Sequence, residues 1–163
     1  MSSQPSQPVR VLFLCTANAC RSQMAEAMLH HLGGDRFEAH SAGSRPAGFV
    51  HPLAIESLHA LGIPILFAES KSWDRYEGER FDAVITLCDS AAAENCPVFP
   101  GSPLTAHWGL PDPVFHAGSD EERRVYALSV ARRLQAKIEG LIALDWSAPP
   151  KVLKPQLDRL GEI

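Results

Sequence analysis

Short apolar runs alternate with longer amphipathic stretches along this chain. The two clearest runs, residues 9–14 and 83–87, are rich in Val, Ile and Leu and are bounded by polar or turn-forming residues, which predicts buried strands. Residues 37–43 (FEAHSAG) are a weaker strand candidate. The segments IPILF (63–67) and LTAHWGL (104–110) are ambiguous, because short apolar runs do not distinguish a strand from other buried structure.

Three longer stretches have the apolar spacing of amphipathic helices. The first follows the first strand and ends at the glycine pair 33–34, the second runs from near Pro52 to Gly62, and the third begins near Asp120. The apolar residues behind these predictions are Met24, Ala25, Met28, Leu29 and Leu32, then Ala54, Leu58 and Leu61, then Val125, Leu128, Leu134, Ile138 and Leu141. Because strands and helices alternate, we predict an α/β domain with a mostly parallel sheet, helices on both faces and ligands at the carboxyl ends of the strands.

The domain organisation follows from composition. The chain has 163 residues, 45% hydrophobic and 21% charged, which is the balance of one globular domain with a real core. We predict a flexible N-terminal segment at 1–8, a single catalytic domain at 9–144 and a peripheral C-terminal extension at 145–163, to which no chemistry is assigned. The proline-rich segment 96–113 is expected to be stiff and irregular, and such loops hold functional groups well.

Charge and hydropathy exclude several classes of function. The formal net charge of −4 argues against binding to nucleic acid or an anionic membrane, so any anion site must be local. The polar start MSSQPSQP does not look like a signal peptide, and no stretch reaches the roughly 18 apolar residues of a membrane span. We therefore expect a cytoplasmic protein.

Four cysteines are too few for a disulfide scaffold, and in a reducing compartment such thiols are more often catalytic, redox-active or metal-binding. Neither Cys15 with Cys20 nor Cys88 with Cys96 has the two-residue gap of a zinc site. We predict neither a metal nor a cofactor.

The candidate chemistry lies in VLFLCTANACRS, residues 11–22, where a thiol ends the first strand and Arg21 follows six positions later. A tight loop of small residues lets successive backbone N–H groups point into one concavity, and the N-terminus of the next helix adds partial positive charge. A tetrahedral oxyanion fits such a cradle, and the guanidinium fork of Arg21 can hold two of its oxygens. The predicted oxyanion-binding residues are Thr16, Ala17, Asn18, Ala19, Cys20, Arg21 and Ser22.

Cys15 lies at the edge of this cradle, where positive charge favours the thiolate that attacks. We expect Ser22 to hydrogen-bond the thiolate and Asn18 to brace the loop. The alternative is that Cys15 is a small buried residue ending a strand and that Arg21 is solvated. Cys20 is expected to fill the loop and to have a structural role.

Cys15-x5-Arg21-Ser22, continued by QMAEAML, resembles the active-site loop shared by the low-molecular-weight protein tyrosine phosphatases and the arsenate reductases built on their fold. The resemblance implies a four-stranded parallel sheet flanked by helices on both faces, with Cys15 as nucleophile. It also implies an aspartate before a proline as general acid, and LPDPVF supplies Asp112 between Pro111 and Pro113. The alternative for Asp112 is an ordinary turn residue.

The resemblance to the three-cysteine arsenate reductases extends to VITLC, CPVFPG and HWGLPDP, and so covers residues 11 to about 142. It implies that Cys15 attacks bound arsenate while Asp112 protonates the departing oxygen. Cys88 then attacks Cys15 as arsenite leaves, Cys96 attacks Cys88, and thioredoxin reduces the final disulfide. Phosphate and sulfate would mimic the substrate.

The chain departs from these relatives at several positions. Seven residues separate Cys88 from Cys96 here, where the relatives have six, and Val114 stands where the phosphatases typically carry a tyrosine. Three residues resemble ligands of a potassium site found in some relatives, whereas the fourth ligand, an aspartate, is replaced by a lysine whose ammonium group could take the place of the cation. The three residues are Asn18, Glu26 and Ser41, and the lysine is Lys71.

Two other functions stay open at this point: a low-molecular-weight protein tyrosine phosphatase, and a non-enzymatic oxyanion-binding redox sensor. Cys88 and Cys96 could also be two unrelated thiols. Glutaredoxin with glutathione, or another thiol, could replace thioredoxin as the reductant. For His107 and Trp108 we expect structural roles.

Overall fold

The computed structural model of the chain describes residues 7–65, 69–88 and 99–163. Its strands are β1 (Val9–Cys15), β2 (Phe37–Gly43), β3 (Ala83–Thr86) and β4 (Leu104–His107). Its α-helices are α1 (Arg21–Gly33), α2 (Pro52–Ala60), α3 (Asp120–Ala143) and α4 (Pro150–Leu160). The strands form one parallel sheet in the order β2-β1-β3-β4, which confirms the predicted fold class. None of these helices is long and apolar enough to cross a membrane.

β1 lies in the middle of the sheet and supplies both faces of the core, because side chains alternate along a strand. Val11 and Phe13 face the cluster that contains buried apolar residues from each of these four α-helices. Leu12 and Leu14 face a smaller cluster, which includes Trp73 of the 3₁₀-helix Trp73–Tyr76. Among the described residues, α-helices therefore cover one face of the sheet and the 3₁₀-helix Trp73–Tyr76 lies on the other.

The weaker strand candidate at 37–43 is β2, and the ambiguous segment 104–110 contains β4. Within IPILF, residues 63–65 form no regular element, and 66–67 lie outside the described residues. Residues 1–6 of the predicted flexible segment also lie outside the described residues.

Two of the apolar residues behind the helix predictions do not lie in the core. Val125 of α3 is 62% exposed, and Leu32 in the last turn of α1 is 36% exposed. At about 100° per residue, Val125 lies opposite Leu134, on which the buried stripe of α3 is centred. In α1 the buried apolar side chains end at Leu29.

The prediction of a peripheral C-terminal extension is also wrong for most of that segment. α4 contacts β4 and α3, and the side chain of Leu157 is fully buried within the main core. Leu153 and Leu157 of α4 close the core rather than lying outside it.

Candidate active site

The site forms at the carboxyl ends of β1 and β3, which are neighbours in the sheet. Cys15 ends β1, and Cys88 lies two residues after β3; both thiols are almost fully buried and they pack against each other. The Thr16 hydroxyl lies 3.4 Å from the Cys88 sulfur. A cavity of about 670 Å³ opens beside the two thiols and is also lined by Arg21 and Asp112.

Residues 16–20 form the loop between β1 and α1, and several of its carbonyl groups accept hydrogen bonds from the segment that follows β2. The carbonyls of Thr16, Ala17 and Ala19 accept N–H bonds of 2.8–2.9 Å from residues 45, 47 and 51. Because the C=O and N–H groups of a peptide bond point in opposite directions, the N–H groups that follow these carbonyls face the other side of the loop, where an anion would lie. At Gly43, which packs beneath the loop, a Cβ would lie 2.4 Å from the Thr16 carbonyl oxygen, so no larger residue fits there.

Asn18 holds the loop in shape, as expected for a brace. It is fully buried with φ of 48°, a left-handed conformation that asparagine tolerates. Its Nδ2 donates to Ser22 Oγ (2.8 Å) and to Ser41 Oγ (2.9 Å), and its Oδ1 accepts from Lys71 N (2.7 Å). Every polar atom of this side chain is therefore engaged in fixing the loop.

Ser22 connects Asn18 to the nucleophile. Its Oγ lies 2.9 Å from the Cys15 sulfur and accepts a hydrogen bond from Asn18. Because the Ser22 oxygen already accepts from the amide, its own hydrogen can be donated to the sulfur. Such a bond stabilises a thiolate on Cys15.

Arg21 turns into the cavity rather than to bulk water, with its side chain 11% exposed. Nη1 donates to the carbonyl oxygen of Leu110 at 2.9 Å, and Nη2 lies 3.2 Å from Asp112 Oδ2. The other Asp112 oxygen accepts from Val114 N at 3.0 Å and so caps the 3₁₀-helix Pro113–Phe115. The guanidinium group thus lies between the loop and the candidate acid.

Cys20 is buried and chemically quiet. The pKa of its thiol is raised to about 12, mainly by burial and in smaller part by nearby Asp112 and Cys15, while Arg21 opposes the rise. The Cys20 thiol therefore stays protonated at neutral pH, which agrees with a structural role for its side chain.

Lys71 lies among the three residues that resemble potassium ligands. Its Nζ is 3.4 Å from Glu26 Oε1 and donates to the Glu69 carbonyl oxygen at 2.9 Å. Ser41, which also bonds Asn18, donates to Glu26. The ammonium group therefore places positive charge beside Glu26, next to the network that braces the loop.

The structure brings together all of the predicted site residues that it describes. Cys96 lies outside the described residues, so its part in the chemistry stays a prediction. Sequence reasoning missed two contacts: the one between Thr16 and Cys88, and that of Gln23, whose Nε2 donates to Asn18 Oδ1 at 3.0 Å. The only signal for Gln23 was a polar residue in the first turn of an apolar helix.

Comparisons with known proteins agree with this geometry. The sequence model of the low molecular weight phosphotyrosine protein phosphatases matches residues 10–144. An arsenate reductase of Halalkalibacterium halodurans is 38% identical over 128 residues, which are 78% of this chain and 88% of that protein. An arsenate reductase solved in the phosphate binding state is 28% identical, with a TM-score of 0.64 over 83% of this chain and 97% of that one.

A thioredoxin-dependent arsenate reductase of Corynebacterium glutamicum is 34% identical, with a TM-score of 0.58 over 82% of this chain and 63% of that one. The family match covers both the nucleophile loop and the candidate acid, and these relatives share the fold that places them together. The chain therefore belongs to the low molecular weight phosphotyrosine protein phosphatase family, among the arsenate reductases built on that fold.

Proposed function

We propose that this chain reduces arsenate to arsenite with Cys15 as nucleophile and Cys88 as the thiol that receives its oxidation. The observation that carries the proposal is the packing of these two sulfurs against each other beside an arginine-lined cavity. A phosphatase needs one thiol at this place, whereas reduction of arsenic needs two electrons, which two thiols supply as they form a disulfide.

The first step is substitution at arsenic. Arsenate enters the cavity, and the loop N–H groups and the Arg21 fork hold its oxygens. The Cys15 thiolate forms a sulfur–arsenic bond as one arsenic–oxygen bond breaks. Asp112 gives a proton to the departing hydroxyl group, which leaves as water.

The second step is the reduction. The Cys88 sulfur attacks Cys15, so a disulfide forms while the sulfur–arsenic bond breaks. The electron pair of that bond stays on arsenic, which changes from As(V) to As(III) and leaves as arsenite. Thr16, whose hydroxyl lies 3.4 Å from the Cys88 sulfur, is placed to stabilise the attacking thiolate.

The third step returns the enzyme to its reduced state. By the resemblance stated above, Cys96 attacks Cys88, and the Cys88–Cys96 disulfide is reduced by thioredoxin. The relative from Corynebacterium glutamicum is described as thioredoxin-dependent, which supports this choice of reductant. We expect the reaction in the cytoplasm, where thiols are kept reduced.

The test is arsenate-dependent oxidation of thioredoxin, followed as NADPH consumption with thioredoxin reductase. The wild type is expected to turn over continuously, and Cys88→Ser to stop after the first chemical step. Cys20→Ala is the matched control, since it removes a buried thiol from the same site but keeps the backbone N–H of the loop, and it is expected to turn over. Sustained turnover by Cys88→Ser would refute the two-thiol mechanism.

Hydrolysis of aryl phosphates is the second candidate, favoured by two exposed aromatic rings at the rim of the cavity. Phe49 is 53% exposed and Phe115 is 84% exposed, so both can contact an aromatic leaving group. For this function, Cys88→Ser leaves hydrolysis of p-nitrophenyl phosphate intact, while Cys15→Ser abolishes it. A non-enzymatic redox sensor would show neither activity.

A further inference from the structure

α4 lies beyond residues 10–144, which the family model matches, yet it is part of the core. Its Leu153 and Leu157 are 4% and 0% exposed. The helix packs on β4, the strand that leads directly into the segment carrying Asp112. This placement suggests a role for α4 in the site as well as in stability.

One buried hydrogen bond joins α4 to that segment. The Trp108 indole Nε1 donates to the Leu157 carbonyl oxygen at 2.9 Å, and Trp108 is the largest fully buried side chain among the described residues. Leu157 O is one of the last four carbonyls of α4, which lack partners within a helix. The N–H of Gly161, four residues further along, would be the helical partner of this carbonyl, but it bonds to Asp158 O instead. Trp108 and the end of α4 therefore fix each other.

The contact between the end of α4 and β4 is also close. A Cβ at Gly161 would lie 2.9 Å from the His107 carbonyl oxygen and 3.0 Å from Trp108 Cδ1. The backbone of Gly161 therefore packs directly against the point where β4 ends.

A short path leads from this point to the reacting groups. Beyond Trp108, the Leu110 N–H donates to the Leu87 carbonyl oxygen at 3.0 Å, and the Leu110 carbonyl accepts from Arg21 at 2.9 Å. Asp112 follows two residues later, after Pro111, which limits the freedom of the chain. A shift of the Trp108 ring would therefore move both the acceptor that aims Arg21 and the candidate acid.

We propose that α4 is a positioning element for catalysis: through the indole bond from Trp108 to Leu157 O, it holds the Leu110–Asp112 segment over the Cys15 loop. The proposal rests on the proposed role of Asp112 as proton donor. Trp108 touches no substrate in this account, so it is a positioning residue. Optimal placement of a donor within a fraction of an ångström is worth a large factor in rate.

The test uses the full chain and compares Trp108→Phe with Trp146→Phe. Trp146 is a matched control, because its indole also donates to a helix C-terminal carbonyl, Leu141 O, at 2.9 Å. It packs on Phe37 at the opposite, amino end of the strands. We expect Trp108→Phe to lower kcat for arsenate at least tenfold with less than threefold change in KM, and Trp146→Phe to keep kcat within twofold.

Gly161→Ala reaches the same contact from α4, because its Cβ would push the helix end away from Trp108. We expect at least a threefold loss of kcat. All variants are assayed at a temperature at which their unfolding curves show them folded. A kcat within twofold of wild type in Trp108→Phe or in Gly161→Ala overturns the proposal.

The effect of Trp108→Phe in an Asp112→Asn background separates this inference from the proposed function. If Trp108 acts through the acid, the double variant is little slower than Asp112→Asn alone. Full multiplication of the two losses would show that Trp108 does not act through Asp112 and would overturn the inference. A wild-type kcat in Asp112→Asn alone removes the proposed acid, which is a failure of the proposed function and also ends the inference.

Discussion

Replacement of Arg21 by lysine tests the anion cradle most directly, because it keeps the charge and removes the fork. In the structure the two guanidinium nitrogens have separate partners, the Leu110 carbonyl and Asp112. A lysine ammonium acts as a point charge and cannot reproduce paired bonds to two oxygens of one anion. We therefore expect at least one charge-assisted hydrogen bond to the bound oxyanion to be lost.

A hydrogen bond to a charged group contributes about 1.5–3 kcal/mol. Since about 1.4 kcal/mol corresponds to a tenfold change in affinity, Arg21→Lys is expected to weaken oxyanion binding by roughly 10-fold to 150-fold. The low exposure of Arg21, 11%, favours the upper part of this range, because solvent screens the interaction little.

The assay is the Kd of phosphate by calorimetry, together with the KM for arsenate. Arg124→Lys is the matched control, since Arg124 forms an exposed pair with Glu121 on α3 and its replacement is expected to leave both values unchanged. An unchanged phosphate Kd in Arg21→Lys, with the variant folded, would mean that the guanidinium group does not hold the anion.

Three further predictions concern charge and protonation. The pKa of Cys20 is about 12 in the folded state, against 9.0 when unperturbed. The contribution of this buried thiol to stability is therefore complete below pH 9 and is lost as the pH rises toward 12. Cys20→Ala should lose less stability than the wild type between about pH 8 and about pH 10.5, as measured by urea unfolding. The pKa of Glu38 is lowered mainly by its hydrogen bond to His40, so its contribution to stability is present above pH 4.5 and is lost as the pH falls below that value. Glu38→Gln should therefore lose less stability at acid pH than the wild type, as measured by urea unfolding. An equal loss in the variant and the wild type would contradict this. Lys71→Met leaves the largely buried Glu26 without its cation and should lower the free energy of unfolding by about 3 kcal/mol. Potassium chloride should restore more stability to this variant than the same concentration of choline chloride, and equal effects of the two salts would contradict a cation site.

Local sequence was a good guide wherever the site is contiguous. The loop from Cys15 to Ser22 follows a buried strand and opens a helix, so its shape depends mainly on small residues and on the two elements beside it. The left-handed backbone at Asn18 and the bond from Ser22 to Cys15 both form within eight positions. Such short-range contacts can be expected from sequence, because little chain has to be arranged to make them.

The errors arose where packing decided the outcome. Val125 fits a helical pattern in general terms, but α1 and α2 pack on the other side of α3. The C-terminal residues were expected to be peripheral, although Leu153 and Leu157 have the i,i+4 spacing of a buried stripe. Their spacing predicts an apolar face, but it does not name the surface that covers it.

The sequence by itself determined the alternation of strands and helices, the thiol and the arginine of the oxyanion loop, and the family. Only the tertiary structure placed Cys88 against Thr16, the Leu110 carbonyl against Arg21, and α4 against Trp108, over separations of 72, 89 and 49 positions. These contacts depend on the strand order β2-β1-β3-β4 and on how the helices dock. Both result from burying apolar surface across the whole domain, which no local pattern contains.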